Sequence, residues 1–313
     1  MNRATSILAA ALLSVATQVG IRADRPRVEL PATAVTAGGE RHHYVIGARV
    51  RPLVLFWITR DDVGDAVVTR RRTSDEAAYS LLIGTDPTRT PLHINRWGYI
   101  EEEIRGEQAR LLGVMTESEE ESVQQAEANV RGQSSGNHPF KIIHATADAE
   151  EARARVASIH APEDYTLRQI PLVLDLAARE ADSGRLRVAR LSPGTRPGFL
   201  AALADAMERP AERSAIKYVY YGRLYELRRT RSRTIGDFRL AGKTYGAAVA
   251  ADFVITSTHD GEQTKFSMTY GTEGRFAEVP LTVSYQPRWW MQLELTIDGS
   301  SSAPAAAGGG GGQ

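Results

Sequence analysis

Hydrophobic and polar residues alternate along the C-terminal part of the chain, in the pattern of β-strands with one apolar face. Within QPRWWMQLELTIDG, residues 286–299, apolar residues fall on every second position from Trp289 to Ile297. Successive strand side chains point to opposite faces, so such a segment buries one face. The same alternation recurs over residues 247–285. It predicts an antiparallel β-meander over residues 214–299 with one continuous apolar face.

Turn residues give this meander an expected register. Asp260–Gly261 is a favoured pair for a two-residue type I′ turn, and it would place Phe253 opposite Met268. The pairs on either side of this one are also apolar, so the turn and the alternation agree.

Two further positions in the meander carry expectations. A three-residue loop at 286–288 would place Leu281 opposite Leu293, on the shared apolar face. Pro280 has no backbone N–H to donate to a ladder, so a bulge or a break is expected there.

This apolar face is the strongest candidate for a binding surface, because it is rich in aromatic residues and methionine. The candidate ligand-binding residues are Phe253, Phe266, Met268, Tyr270, Tyr285 and Trp289. A one-faced antiparallel sheet normally packs on helices or on a second sheet, so the same residues also fit a hydrophobic core. The core interpretation is favoured, and the pattern leaves the pocket interpretation open.

Residues 42–210 mix strand and helix patterns. The strands predicted there are 44–50, 53–59, 66–71, 79–84, 97–105, 108–116, 140–144 and 185–191. Helical periodicity predicts four helices, which begin near Ser118, Thr146, Gln169 and Thr195. The predicted fold class is therefore α+β: a mixed β/α first region followed by an antiparallel β-meander with one apolar face.

The two ends of the chain have distinctive compositions. Residues 1–23 combine a charged start, an apolar run at 7–15 and Ala23, the layout of a secretory signal peptide cleaved near Ala23. The apolar run is shorter than the roughly 20 residues of a membrane span. Residues 24–41 predict a flexible lead-in, and residues 300–313, SSSAPAAAGGGGGQ, a disordered Ala/Gly-rich tail. An exported protein, periplasmic or secreted, is expected.

Composition excludes several classes of chemistry. The chain has 313 residues, with 38 basic and 38 acidic side chains, so its charge balance selects neither nucleic acid nor an acidic membrane surface as a partner. It has no cysteine, which excludes disulfides, a lipidated N-terminal cysteine and cysteine-ligated zinc or iron–sulfur sites. No cofactor is predicted.

Motifs for catalysis and metal binding are weak. Residues 132–136, GQSSG, match G-x-S-x-G, but they follow a predicted helix rather than a strand, so Ser134 is expected to be inert. The seven histidines have no metal-binding spacing, and Asp61–Asp65 is better read as a hairpin turn than as a calcium loop. The runs Glu101–Glu103 and Arg228–Arg233 fit a solvated face and a basic loop. No catalytic or metal-binding residue is predicted.

Two stretches carry a resemblance to known proteins. INRWGYIEEEIRG, residues 94–106, and FSMTYGTEGRFAEVPLTVSYQPRWWMQLELTID, residues 266–298, resemble an uncharacterised family of exported bacterial proteins, a domain of unknown function. The similarity extends over most of the mature chain, and it implies no activity and no functional residue.

The function predicted from these patterns is that of an exported, non-catalytic binding or envelope-associated protein that uses its apolar sheet face. Its partner would be an apolar or envelope ligand or another protein. Neither nucleic acid as a partner nor a transmembrane span in the chain is predicted. The alternative is a secreted hydrolase whose catalytic residues converge only in three dimensions.

Overall fold

A computed structural model describes residues 39–50, 58–90, 95–116, 137–162, 164–209, 215–288 and 291–299. These residues form a 14-stranded antiparallel sheet with two α-helices. The strands are β1 (Glu40–Val50), β2 (Ile58–Arg72), β3 (Glu76–Thr85), β4 (Trp97–Arg105), β5 (Gln108–Thr116), β6 (Asn137–Ala147), β7 (Glu151–Pro162), β8 (Arg185–Arg190), β9 (Ala215–Tyr220), β10 (Arg223–Leu240), β11 (Lys243–Ser257), β12 (Gln263–Gly271), β13 (Pro280–Arg288) and β14 (Met291–Ile297). The helices are α1 (Ile170–Arg179) and α2 (Phe199–Glu208), and short 3-10 helices lie at Leu167–Gln169 and Gly274–Phe276.

Strand order follows chain order except at one junction. The sheet runs from β8 down to β1, then from β14 down to β9. At the junction β1 pairs with β14, which places Tyr44 opposite Ile297. Both predicted regions, residues 42–210 and 214–299, therefore contribute strands to the same sheet. The division of the chain into these two regions stays a prediction.

The sheet curls so that its two ends approach each other. Gly222, in the β9–β10 turn, lies against Arg187 of β8, and a Cβ at this glycine would come within 2.8 Å of Arg187 Cβ. Gly222 also has a φ of 63°, which disfavours other residues. The curl creates an enclosed inner face and an outer face.

Each helix covers one of these faces. On the outer face, α1 buries Ile170, Val173 and Ala177 against a cluster centred on Tyr99 and Phe140. On the inner face, α2 lies between β3–β4 and β9–β12. Its buried residues are Leu200, Ala201, Ala202, Ala204, Ala206 and Met207. A helix buried on most sides in this way is expected to be apolar around its circumference.

The protein is richer in strand than the α+β prediction. The helices predicted near Gln169 and Thr195 are confirmed as α1 and α2, and the one near Ser118 lies outside the described residues. The helix predicted from Thr146 is wrong, because residues 151–162 form β7. Ala and Arg alternate over residues 152–155, a period of two that pairing with β6 and β8 stabilises.

Two predicted turns lie inside long strands. Asp61–Asp65 was predicted as a hairpin turn but falls within β2, at a bulge in its pairing with β1. The guanidinium of Arg89 contacts Asp62, Asp65 and Asp86 there, so a cation of the chain itself neutralises these carboxylates. The basic loop predicted at Arg228–Arg233 is likewise part of β10, which continues through bulges.

The meander is confirmed, but its registers differ from prediction. Phe253 lies opposite Phe266 rather than Met268, because the β11–β12 loop is longer than a two-residue turn. Leu293 lies opposite Tyr285 rather than Leu281. Both shifts are even in number, so Phe253, Phe266, Tyr285 and Leu293 keep their predicted face.

The irregularity expected at Pro280 is confirmed. The pairing of β12 with β13 shifts register between Thr269 and Tyr270, and Tyr270 then lies opposite Pro280. A β-bulge at this point accommodates a residue that cannot donate a ladder hydrogen bond.

Candidate functional site

The apolar meander face forms part of the inner face, and α2 covers much of it. Phe253, Met268 and Tyr270 are 1%, 2% and 0% exposed. They belong to one cluster with Ala202, Ala206 and Met207 of α2. These three predicted site residues therefore pack as core around the helix.

The remaining predicted site residues lie elsewhere on the same face. Phe266 and Tyr285 are half-buried, and Trp289 lies outside the described residues. Phe266 stacks on Phe253, with ring centroids 5.1 Å apart. Ile255 and Leu293 are half-buried on the same face. We call these four residues, Ile255, Phe266, Tyr285 and Leu293, the rim of the inner face. The rim lies towards the β11–β12 loop.

The N-terminus of α2 is held by a carboxylate from the sheet. Glu102 of β4 is 1% exposed. Its two carboxylate oxygens accept the backbone N–H groups of Leu200 and Ala201, each at 2.9 Å. Gly198 precedes the helix, and a Cβ at this position would lie 2.2 Å from the Glu102 carboxyl carbon. The carboxylate thus caps the helix from a distant strand and requires glycine beside it.

Sequence reasoning placed Glu101–Glu103 on a solvated face, and it was wrong for Glu102. The alternation of residues between the two faces of β4 was the signal that could have identified Glu102 as buried. Glu102 lies two residues from Ile100 and from Ile104, both of which pack against α2 in the cluster on the inner face. A carboxylate in the middle of an apolar face is rare unless a partner meets it.

An arginine holds the other end of α2. Arg229 of β10 is 6% exposed. Its guanidinium donates to the carbonyl oxygens of Ala206 and of Arg209, and it lies 5.9 Å from the centroid of the Phe253 ring. A carboxylate at the N-terminus and a guanidinium at the C-terminus both match the helix dipole. The helix is therefore held by Glu102 at its N-terminus, by Arg229 at its C-terminus and by small apolar side chains between them.

The burial of Glu102 makes this anchor sensitive to pH. Burial raises the pKa of Glu102 to about 7, although hydrogen bonds from three backbone N–H groups act to lower it. Because the folded-state pKa lies above the ordinary value of 4.5, the contribution of Glu102 to stability is complete below pH 4.5. It is lost as the pH rises through 7. We expect a loss of about 3 kcal/mol across this range.

Urea unfolding at pH 4.5, 6 and 8 measures this dependence. The quantity to compare is the free energy of unfolding of the wild type minus that of Glu102→Gln, whose amide does not titrate. The difference should shrink towards pH 8. A difference that stays constant or grows with pH would contradict a raised pKa.

The described residues show neither a metal site nor a membrane-spanning helix. No group of three or more His, Asp or Glu side chains among them is placed to hold a metal ion. Neither helix in this described part of the chain has the length and apolar character needed to span a bilayer. Ser134 and its G-x-S-x-G motif lie outside the described residues.

Comparison with known proteins adds no family. No protein-family model matches the chain, and no curated protein matches it. Among solved structures, the chain is similar to a candidate lipoprotein from Parabacteroides distasonis ATCC 8503. Sequence identity is 10%, coverage is 84% of this chain and 96% of that chain, and the TM-score is 0.28. Such a score carries no argument about fold or function.

Proposed function

We propose that this protein is exported and binds an apolar ligand or an apolar segment of a partner at the rim of its inner face. The observation that carries the proposal is the contrast along that face. Phe253 is 1% exposed beneath α2, whereas Phe266, directly opposite it, is only half-buried. Half-buried aromatic and aliphatic side chains that continue a core are suited to adding an apolar partner.

Export is the second part of the proposal, and it is supported by the N-terminal sequence. Residues 1–23 have the charged start, apolar run and small residue of a signal peptide, with cleavage proposed near Ala23. A cysteine-free chain is also compatible with an oxidising compartment, because it has no thiol to misoxidise.

A non-catalytic role is preferred over a secreted hydrolase. His144 shares a cleft with the carboxylates of Glu101 and Glu103. Its Nε2 atom lies 2.9 Å from the carbonyl oxygen of Ala177, at the end of α1. Donation from Nε2 leaves Nδ1 as the ring nitrogen that could act as a base, and no serine is among the described residues that line this cleft.

The rim is tested with N-phenyl-1-naphthylamine, a neutral apolar dye that fluoresces when bound. The wild type should bind it saturably, and Phe266→Ser should weaken binding by about tenfold or more, because one buried aromatic ring contributes about 1.5 kcal/mol or more. Titration followed by fluorescence measures both dissociation constants.

Lys265→Ser is the matched control, because Lys265 neighbours Phe266 but is exposed on the opposite face. It should leave dye binding unchanged, and circular dichroism should confirm that both variants are folded. Absence of saturable binding to the wild type, or equal weakening by both variants, would overturn the proposal.

A further inference from the structure

A charged cleft of about 490 Å³ lies on the outer face, away from the rim. Two rows of residues that are paired across the strands form its floor. One row is Glu101, Leu112, His144, Arg155 and Leu186, from β4 to β8; the other contains Glu103, Arg110, Thr146 and Arg153. Neighbouring strands are about 4.8 Å apart, so each row extends for more than 14 Å.

The cleft exists because α1 ends above it. The helix covers the apolar row next to these two, which includes Tyr99, Val114 and Ile142. His144 meets the carbonyl oxygen of Ala177 at the last turn of the helix, with 2.9 Å between the oxygen and Nε2. Beyond this contact the two charged rows are open to solvent.

Two guanidinium groups in the cleft have no partner among the described residues. Arg155 is half-buried, and Arg110 is exposed. Neither makes a hydrogen bond or an ion pair with any residue in the described part of the chain. Arg153, by contrast, pairs with Glu151. A partly buried, unpaired guanidinium is costly unless an anion meets it, and its planar fork suits a carboxylate or a phosphate.

Two carboxylates of β4 supply hydrogen-bond acceptors in the same cleft. Glu101 is half-buried and accepts the hydroxyl of Tyr99 with one carboxylate oxygen, Oε2. Glu101 and Glu103 both line the cleft. Carboxylates accept hydrogen bonds, so they suit hydroxyl groups of a ligand. Leu112 lies on the floor between Glu101 and His144 and provides an apolar surface, and Leu186, 49% exposed, lies beyond Arg155 on β8.

We propose that this cleft binds an anionic sugar. The oxyanion of the sugar pairs with Arg155 and Arg110, its hydroxyl groups donate to Glu101 and Glu103, and its C–H face lies on Leu112. A cleft of this volume is within the usual range for small-molecule sites. The oxyanion can belong to a phosphate or to a carboxylate, since a guanidinium accepts both in the same geometry.

Isothermal titration calorimetry of the full chain tests the assignment with four probes. Glucose 6-phosphate and glucuronate distinguish the two oxyanions, and glucose and inorganic phosphate each supply half of the proposed ligand. At least one of the anionic sugars should bind, and both half-ligands should bind about tenfold more weakly or not at all. Arg155→Gln should weaken that binding by about tenfold or more, because the charge-assisted contact is lost.

Arg110→Gln is the second variant, because an exposed side chain can be replaced without affecting folding; it should also weaken binding. Arg239→Gln, at an exposed position on β10, is the control and should change nothing. The proposal is overturned if neither anionic sugar binds, if Arg155→Gln and Arg110→Gln bind like the wild type, or if inorganic phosphate binds as tightly as glucose 6-phosphate.

Discussion

Replacing Glu102 with alanine is expected to lower the free energy of unfolding by about 3–5 kcal/mol at pH 5. The side chain is 1% exposed, and its oxygens accept the N–H groups of Leu200 and Ala201. Alanine leaves both groups buried without an acceptor and opens a void beside Gly198. Urea unfolding followed by circular dichroism measures the loss.

Glu103→Ala is the matched control for this prediction. Glu103 is the next residue on β4, but it faces the outer side and is half-buried. Its replacement should change stability by about 0.5 kcal/mol or less. Equal losses for Glu102→Ala and Glu103→Ala would contradict the helix-capping role.

Phe253→Ala should cost about 3–5 kcal/mol, the range for a large side chain removed from a well-packed core. Phe253 is 1% exposed, in the cluster that surrounds α2. Its ring also stacks on Phe266 and lies beneath the guanidinium of Arg229. Urea unfolding of the variant measures the cost directly.

Val254→Ala gives the comparison from the opposite face of the same strand. Val254 is half-buried, and its truncation should cost less than about 1 kcal/mol. A small loss for Phe253→Ala, close to that of Val254→Ala, would mean that α2 does not fill the inner face. The pocket interpretation of this face would then be favoured over the core interpretation.

The same alternating sequence pattern produces both the half-buried rim and the part of the inner face that α2 covers. Phe253, Phe266 and Tyr285 share one alternation and were indistinguishable as site candidates. Only Phe253 is enclosed by α2. The assignment of Phe266 and Tyr285 to a ligand site stays a prediction, and the dye experiment tests it.

The strand alternation determined which face each residue of the meander occupies. It did so even where the register was wrong, because Phe253 and Leu293 shifted by even numbers of residues. Alternation has a period of two, so an even slip preserves the face. The bulge at Pro280 was also predictable, since a missing N–H is a local property of one residue.

The segment after Thr146 shows the limit of local reasoning. Its acidic residues fit a helix start, but Asp148 instead accepts the N–H groups of Glu150 and Glu151 in the turn before β7. Both arrangements satisfy the same side chain locally. Pairing with β6 and β8 on both sides decided in favour of the strand.

The sequence by itself determined the last four strands of the meander, β11 to β14, their two faces and the positions of α1 and α2. The tertiary structure alone decided what covers each face. Glu102 meets a helix 98 residues away, and the charged cleft combines side chains of β4 to β8 around the end of α1. Local patterns encode the direction of a side chain, whereas the curl of the whole sheet decides which distant segment that side chain meets.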